Sequence, residues 1–301
     1  MLCVRDMGVF FNNGQFARHA GRCLIRSVRE AADHCLTTDS QTQKIHKLSM
    51  SRTNFGDKLM SVAKHILVKR LEEGGRRVEN FRHEWKHEIS AFDAVLVRQR
   101  MKAVAKLDPY AKNGRYTIRS LYFDNLHDKA LREKIDGVDR REKFRIRYYN
   151  GDLSVIHLEK KIKRNNLTGK ESAPLTEMEA GAIARGDYRF MQESPYELVT
   201  ELYRKMQWEG LRPKTIVDYT REPFVYAPGN VRITLDYNIR TGLGCVDFLN
   251  PDCVTIPAGD PVIILEVKWD AFLPDIIRDA LQLTNCHAGA YSKYAACRIY
   301  G

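Results

Sequence analysis

The 301-residue chain contains no apolar run approaching the length of a membrane span. Its first residues, MLCVRDMGVFFNNG, hold too short an apolar core for a secretory signal. The seven cysteines (Cys3, Cys23, Cys35, Cys245, Cys253, Cys286, Cys297) form no C-x-x-C pair, and their number is odd. That favours reduced thiols in a cytoplasmic setting and argues against a zinc site. The nine histidines show no metal-ligand spacing; His83 and His87 lie on the outer face of a strand pattern and read as structural. There is no internal repeat, no low-complexity segment and no aromatic platform of the RNA-binding kind. Acidic residues are in the minority, 38 against 49 Lys and Arg, giving a net charge of +11. The partner to expect is therefore an anion, and nucleic acid is disfavoured among anions.

What the chain does have is a run of strands that are apolar on one side and ionic on the other. In Lys143–Lys163, Phe144, Ile146 and Tyr148 alternate with Lys143, Arg145, Arg147 and Tyr149. Asn150-Gly151 supplies the positive-φ pair of a type I′ turn. Ile156, Leu158, Lys160 and Ile162 then alternate with His157, Glu159, Lys161 and Lys163. The same pattern returns at 81–89 (Arg82, Glu84, Lys86, Glu88 against Trp85 and Ile89). It returns again at 230–237 (Arg232, Thr234, Asp236) and at 261–269 (Glu266, Lys268). Successive strand side chains point to opposite faces. Antiparallel strands of this kind bury both faces by closing into a barrel with a hydrated, cationic lumen and helices over its apolar outside. The expected fold is α+β, an eight-stranded antiparallel tunnel flanked by helices.

Residues 1–78 read as an N-terminal extension, poorly patterned and then carrying one amphipathic helix over 54–73; Met50 would serve as well for a start. That helix's basic residues would suit an anionic membrane or a membrane-bound partner, and packing on the barrel wall is the simpler expectation. Residues 79–301 form the tunnel domain. Strands are expected at 81–89, 116–124, 143–149, 152–163, 214–226, 230–237, 261–269 and 292–300. Capping boxes at Ser90, Thr176 (with Glu179) and Ser194 (with Glu197) open helices, and Pro274 opens one running to about Leu283. Residues 125–134 read as helix or turn, and Arg164–Lys170 as a basic loop.

Several of these segments together resemble a known family. Leu121-Tyr122-Phe123-Asp124, Arg145-x-Arg147, Glu159-x-Lys161, Asp218-Tyr219-x-Arg221, Arg232-x-x-Leu235-Asp236, Leu265-Glu266-Val267-Lys268 and Ser292-Lys293-Tyr294 occur in order. The set is similar to the VTC (vacuolar transporter chaperone) catalytic domain, a polyphosphate polymerase among the CYTH-like, or triphosphate tunnel metalloenzyme, proteins. The resemblance covers roughly residues 80 to 300. It implies a tunnel that binds the triphosphate of ATP with Mn²⁺ or Mg²⁺ and passes the γ-phosphoryl to a growing polyphosphate chain. It also implies the catalytic module alone, with neither the basic helical SPX domain nor membrane helices. One departure stands out: many tunnel enzymes open on Glu-x-Glu-x-Lys, and here the first position is Arg82, before Glu84 and Lys86. This puts a two-metal hydrolytic site in doubt.

The implied roles follow residue chemistry. Lys86, Arg145, Arg147, Lys161 and Lys293 are the catalytic candidates. Arg221, Arg232, Lys268, Lys163 and Arg82 are candidates for binding triphosphate or polyphosphate, since guanidinium groups suit phosphate oxygens. Glu266 is the first choice as metal ligand, then Glu84 and Glu159, because a hard cation favours carboxylate oxygen. A carboxylate set between lysines can equally serve to ease cation–cation repulsion. Alternatives are a tripolyphosphate or nucleoside triphosphate hydrolase of the same fold, and a non-catalytic polyanion-binding module. The sequence does not give the oligomeric state.

Overall fold

The computed structural model describes residues 81–111, 113–283 and 287–299. The N-terminal extension and the helix expected over 54–73 lie outside the described residues.

Asn150 (φ 53°) and Gly151 (φ 70°) form the expected left-handed pair. Around them β4 (Arg141–Tyr149) folds back on β5 (Asp152–Arg164). The Asn150 side chain accepts from Thr117 N–H at 3.0 Å, while its own N–H donates to the Thr117 carbonyl at 2.9 Å. That ties the turn to β3 (Tyr116–Asp124). Further strands are β1 (His83–Ile89), β6 (Leu167–Leu175), β7 (Arg212–Tyr226), β8 (Val231–Thr241) and β10 (Ile263–Trp269). Two-residue pieces β2 (Lys106–Leu107), β9 (Ile256–Pro257) and β11 (His287–Ala288) pair with β7, β8 and β1.

The eight long strands run antiparallel in the order β1-β10-β8-β7-β3-β4-β5-β6. The sheet curls until its ends meet. Arg82 and Thr168 exchange backbone hydrogen bonds of 2.9 Å across the seam. Beside that bridge Gly169 lies under the Phe81 ring, where an added Cβ would come within 3.2 Å of the ring edge. Glycine is what lets the strand pass.

The apolar outside is covered by helices. α1 (Ala91–Val104) starts at Ser90, whose side chain and that of Asp93 form the expected capping box. It packs Ala94, Val97 and Met101 against Ile233, Leu235, Leu265 and Val267. On the other wall α3 (Glu177–Arg185), with its Thr176–Glu179 box, and α4 (Glu197–Trp208) bury Ile183, Leu198, Leu202 and Met206. Their partners are Phe144, Ile146 and Leu158. Lys160 sits on this greasy face because α4 supplies Glu201, 2.8 Å away. α2 (Lys129–Ile135), α5 (Asp275–Ala280) and α6 (Lys293–Cys297) are the remaining α-helices among the described residues. No helix among the described residues is long and apolar enough to cross a membrane.

Four local expectations change. Residues 164–170 are not a loop: Asn165 and Asn166, both with positive φ, turn the chain tightly into β6. LTGKESAPL lacks alternation and carries Pro174, but β6 ends the hydrogen-bonded order, where a missing N–H is tolerated. The last expected strand, 292–300, contains α6 instead: Ser292 caps Ala295 N–H at 3.2 Å, and Ala295 and Ala296 favour helix. The Ser194 box does not form. Ser194 and Tyr196 stay extended around Pro195, and the N-cap moves to Tyr196. The helix after Pro274 ends at Ala280, short of Leu283.

Candidate functional site

Residues opposite one another in adjacent strands share a face. The register sets Arg145 beside Glu159, Ser120 beside Arg147, Lys86 beside Glu266 and Glu84 beside Lys268. All these faces turn inward on one cavity of about 430 Å³. Among the described residues fourteen Lys and Arg side chains line it against three carboxylates, a balance that calls for a strongly anionic ligand. Every residue expected at the site lines this cavity: Lys86, Arg145, Arg147, Lys161, Lys293, Arg221, Arg232, Lys268, Lys163, Arg82, Glu266, Glu84 and Glu159.

The carboxylates divide into two environments. Glu84 and Glu266 lie together with Lys86 contacting both, the latter at 3.4 Å. Lys161 donates to both oxygens of Glu84 at 3.0 and 2.9 Å, and Lys268 reaches Glu266 at 3.0 Å. Burial alone would raise both carboxyls; Lys161 and Lys86 on Glu84, and Lys268 and Lys86 on Glu266, outweigh it and hold both well below the usual range. Two ionised carboxylates thus stand side by side. Lys86 gains from both and its pKa rises. Burial pushes Lys161 down to about 7, against the pull of Glu84 and helped by Lys86 and Lys268.

Glu159 is differently placed. It accepts two hydrogen bonds from Arg145 (2.8 and 2.6 Å), and Arg147 and Lys170 stand 3.7 and 3.5 Å away. Arg145 also donates to the Tyr122 hydroxyl at 2.9 Å; Arg147 donates to Ser120 and Tyr219, each at 3.0 Å. These contacts fix both guanidinium groups at the wall.

Opposite, Arg221 makes two 2.6 Å bonds to Asp236, and Lys293 reaches the same carboxylate at 2.7 Å. Arg232 is held by Asp108 at 2.7 Å and by Tyr116 at 2.8 Å. Arg82 turns to the rim and bonds Asp270 at 2.6 Å. It therefore adds no carboxylate to the Glu84–Glu266 pair.

Some lining residues were not singled out from the sequence. Lys143 stands one alternation before Arg145, so the strand pattern carried it; Tyr122 and Tyr219 sit within quoted motifs. Lys134 and Arg141 had no such signal, since α2 and the strand start position them. Two motif carboxylates have structural roles. Asp124 accepts from the Tyr294 hydroxyl at 2.7 Å and from the N–H groups of Asn125, Ala130 and Leu131. Asp218 clamps Arg119, 2.8 Å away. Among the described residues no three His, Cys, Asp or Glu groups converge as a metal centre. A hard cation here would be held by Glu84 and Glu266 and completed by ligand oxygens, the habit of Mg²⁺ at phosphates.

No curated protein matches this sequence. Among solved structures, a Bacillus halodurans protein described as a candidate adenylate cyclase is similar at 14% identity and a TM-score of 0.40. That match covers 62% of this chain and 79% of the other. A Hippeastrum protein described as a candidate adenylyl cyclase with a dominant triphosphatase activity is similar at 12% identity and a TM-score of 0.41, covering 66% and 84%. At this distance neither decides what this chain does. The family model of the VTC domain matches residues 81–299, and with it the tunnel's ordered motifs make this chain a member of the VTC-domain family.

Proposed function

We propose that the protein is an ATP-dependent polyphosphate polymerase working inside the cationic tunnel. The supporting observation is the pairing of a strongly cationic lumen with two adjacent ionised glutamates. Arg82, where many tunnel enzymes have a third acid, is bound to Asp270 at the rim. That donor set suits one divalent cation, Mn²⁺ or Mg²⁺, held by Glu84 and Glu266. When bound, the cation would draw charge from the phosphoryl oxygens. Glu159, one oxygen of which takes both Arg145 bonds while Lys170 stands 3.5 Å from the other, serves instead to orient Arg145 and Arg147.

In the proposed reaction a terminal oxygen of the polyphosphate chain bonds to the γ-phosphorus of ATP. The β–γ bridging P–O bond breaks and ADP leaves. Such transfer rests on positioning and charge neutralisation rather than on covalent help. Arg145 and Arg147 present fixed donors on one wall; Arg221, Arg232 and Lys293 do so on the other. Lys86, Lys161, Lys268 and Lys163 add charge along the tunnel. Incubating the protein with ATP and Mn²⁺ or Mg²⁺ should give polymer on a polyphosphate-stained gel. Orthophosphate without polymer would make it a hydrolase, and binding without turnover a polyanion-binding module.

The lumen also sets a pH dependence. Lys143 is half-buried, and that loss of water, with Arg141, Lys134 and Lys86 adding repulsion against the pull of Asp124, lowers its pKa to about 7. Its ammonium lies over the Tyr294 ring at 5.2 Å. Above pH 7 the tunnel without ligand loses this charge and that of Lys161, and a bound polyanion restores both by proton uptake. Tripolyphosphate affinity is therefore expected to fall between pH 6.5 and 8.5, with protons taken up on binding. Calorimetry in buffers of different ionisation enthalpy measures this; no buffer dependence would show that Lys143 and Lys161 keep their protons throughout.

A further inference from the structure

A second cavity, of about 250 Å³, opens between α2, the β4 and β5 ends and the C-terminal end of α4. Arg141, Lys143 and Lys163 line both it and the tunnel, so the two spaces meet at these three cations. Beyond them the second cavity carries Arg140 and Arg164 on its outer side, both exposed at strand ends.

Its acids are mostly taken. Lys205 and Lys129 bind Glu209, each at 2.8 Å, and Lys205 also contacts Glu142. Asp124 is filled by Tyr294 and backbone N–H groups. Glu133 remains, and burial raises its carboxyl pKa. By contrast, Arg140, Arg141, Lys143, Lys163 and Arg164 make no side-chain ion pair among the described residues; Arg141 bonds only the Val138 carbonyl. Asp139, near Arg140 and Lys163, is turned to the backbone N–H groups of Asn165 and Asn166. Like charges left this close raise one another's energy unless an anion lies between them.

We propose that the second cavity is a binding subsite for the distal phosphates of an inorganic polyphosphate chain, entered from the tunnel past Arg141, Lys143 and Lys163. This rests on the tunnel holding a phosphate chain, as proposed above. A triphosphate fits within the tunnel; a longer chain continues into the second cavity and gains contacts there. The protein then prefers long chains to short ones through residues that never meet the reacting phosphoryl.

The test is binding of tripolyphosphate and of sized long-chain polyphosphate to the full chain and to the double variant Arg140→Glu, Arg164→Glu. Both residues are exposed, so folding should hold, and an unchanged melting temperature checks it. Arg140→Ala, Arg164→Ala is the milder second variant. Lys102→Glu, Lys106→Glu, exposed on α1 and β2, makes the same change in net charge on a different wall. Reversing the two arginines is expected to weaken long-chain binding about tenfold. It should also flatten that ligand's salt dependence and leave tripolyphosphate within about twofold. The Lys102 and Lys106 reversal should leave the preference for long chains intact. If the arginine variant weakens both ligands equally, or neither, the subsite is overturned while the tunnel reading stands. If the unaltered protein binds neither ligand, the tunnel reading falls and the subsite with it.

Discussion

Glu266→Gln should bind triphosphate nearly as well as the parent and turn it over about a thousandfold more slowly. The exchange keeps the side chain's shape and removes one of two adjacent negative charges. Lys268 and Lys86, 3.0 and 3.4 Å from Glu266, then lose a partner and are freed for phosphate, so ground-state affinity has little reason to fall. On the proposed one-cation site, what would be lost is half of the cation's donor set, and with it charge stabilisation worth several kcal/mol in the transferring phosphoryl. Raising Mn²⁺ should recover part of the rate, because Glu84 still offers a carboxylate. The measurement is triphosphate affinity by calorimetry beside turnover across a Mn²⁺ titration. Turnover at the parent rate would remove Glu266 from the ligand set and leave Glu84 as its centre.

The site was legible because its determinants are local to strands. Alternation places Arg145, Arg147, Glu159 and Lys161 on one face whatever the tertiary contacts, and barrel closure turns that face inward. The β4–β5 hairpin was similarly written in Asn150-Gly151, two residues that reach positive φ cheaply. β6 was not legible. Its Gly169 answers to Phe81 and its Pro174 to a position at the end of the sheet order, and both are tertiary facts. Lys293 was placed at the site from its motif but assigned to a strand. A one-turn helix capped by Ser292 delivers it, and five residues carry too little periodicity to show that. The division among the three glutamates was equally hidden. Each sits in a similar strand context, and only the packed barrel shows that Arg145 holds one oxygen of Glu159 while Glu84 and Glu266 share Lys86.

Asp236 shows the same dependence on assembly, and its substitution should have the largest effect on stability. It is fully buried, and its two oxygens receive both Arg221 bonds and Lys293. Burial would raise its pKa, but Arg221 and Lys293 hold it below the ordinary value. Asp236→Asn leaves a guanidinium and an ammonium facing each other without their shared carboxylate. Breaking a buried pair from one side costs about 3–5 kcal/mol, which for a domain of this size is a fall in Tm of roughly 10 °C. A carboxylate with a depressed folded pKa contributes its stability above its unfolded value and loses it as pH falls through the folded one. The gap between parent and variant should therefore be full at pH 7 and close only in acid, below about pH 4. Tripolyphosphate should raise the Tm of the variant more than that of the parent, because the ligand brings negative charge to the orphaned Arg221 and Lys293. Thermal melts across pH, with and without tripolyphosphate, decide it. A variant that melts within a degree or two of the parent at pH 7, or gains no more from the ligand, would show that water in the tunnel already screens those two cations.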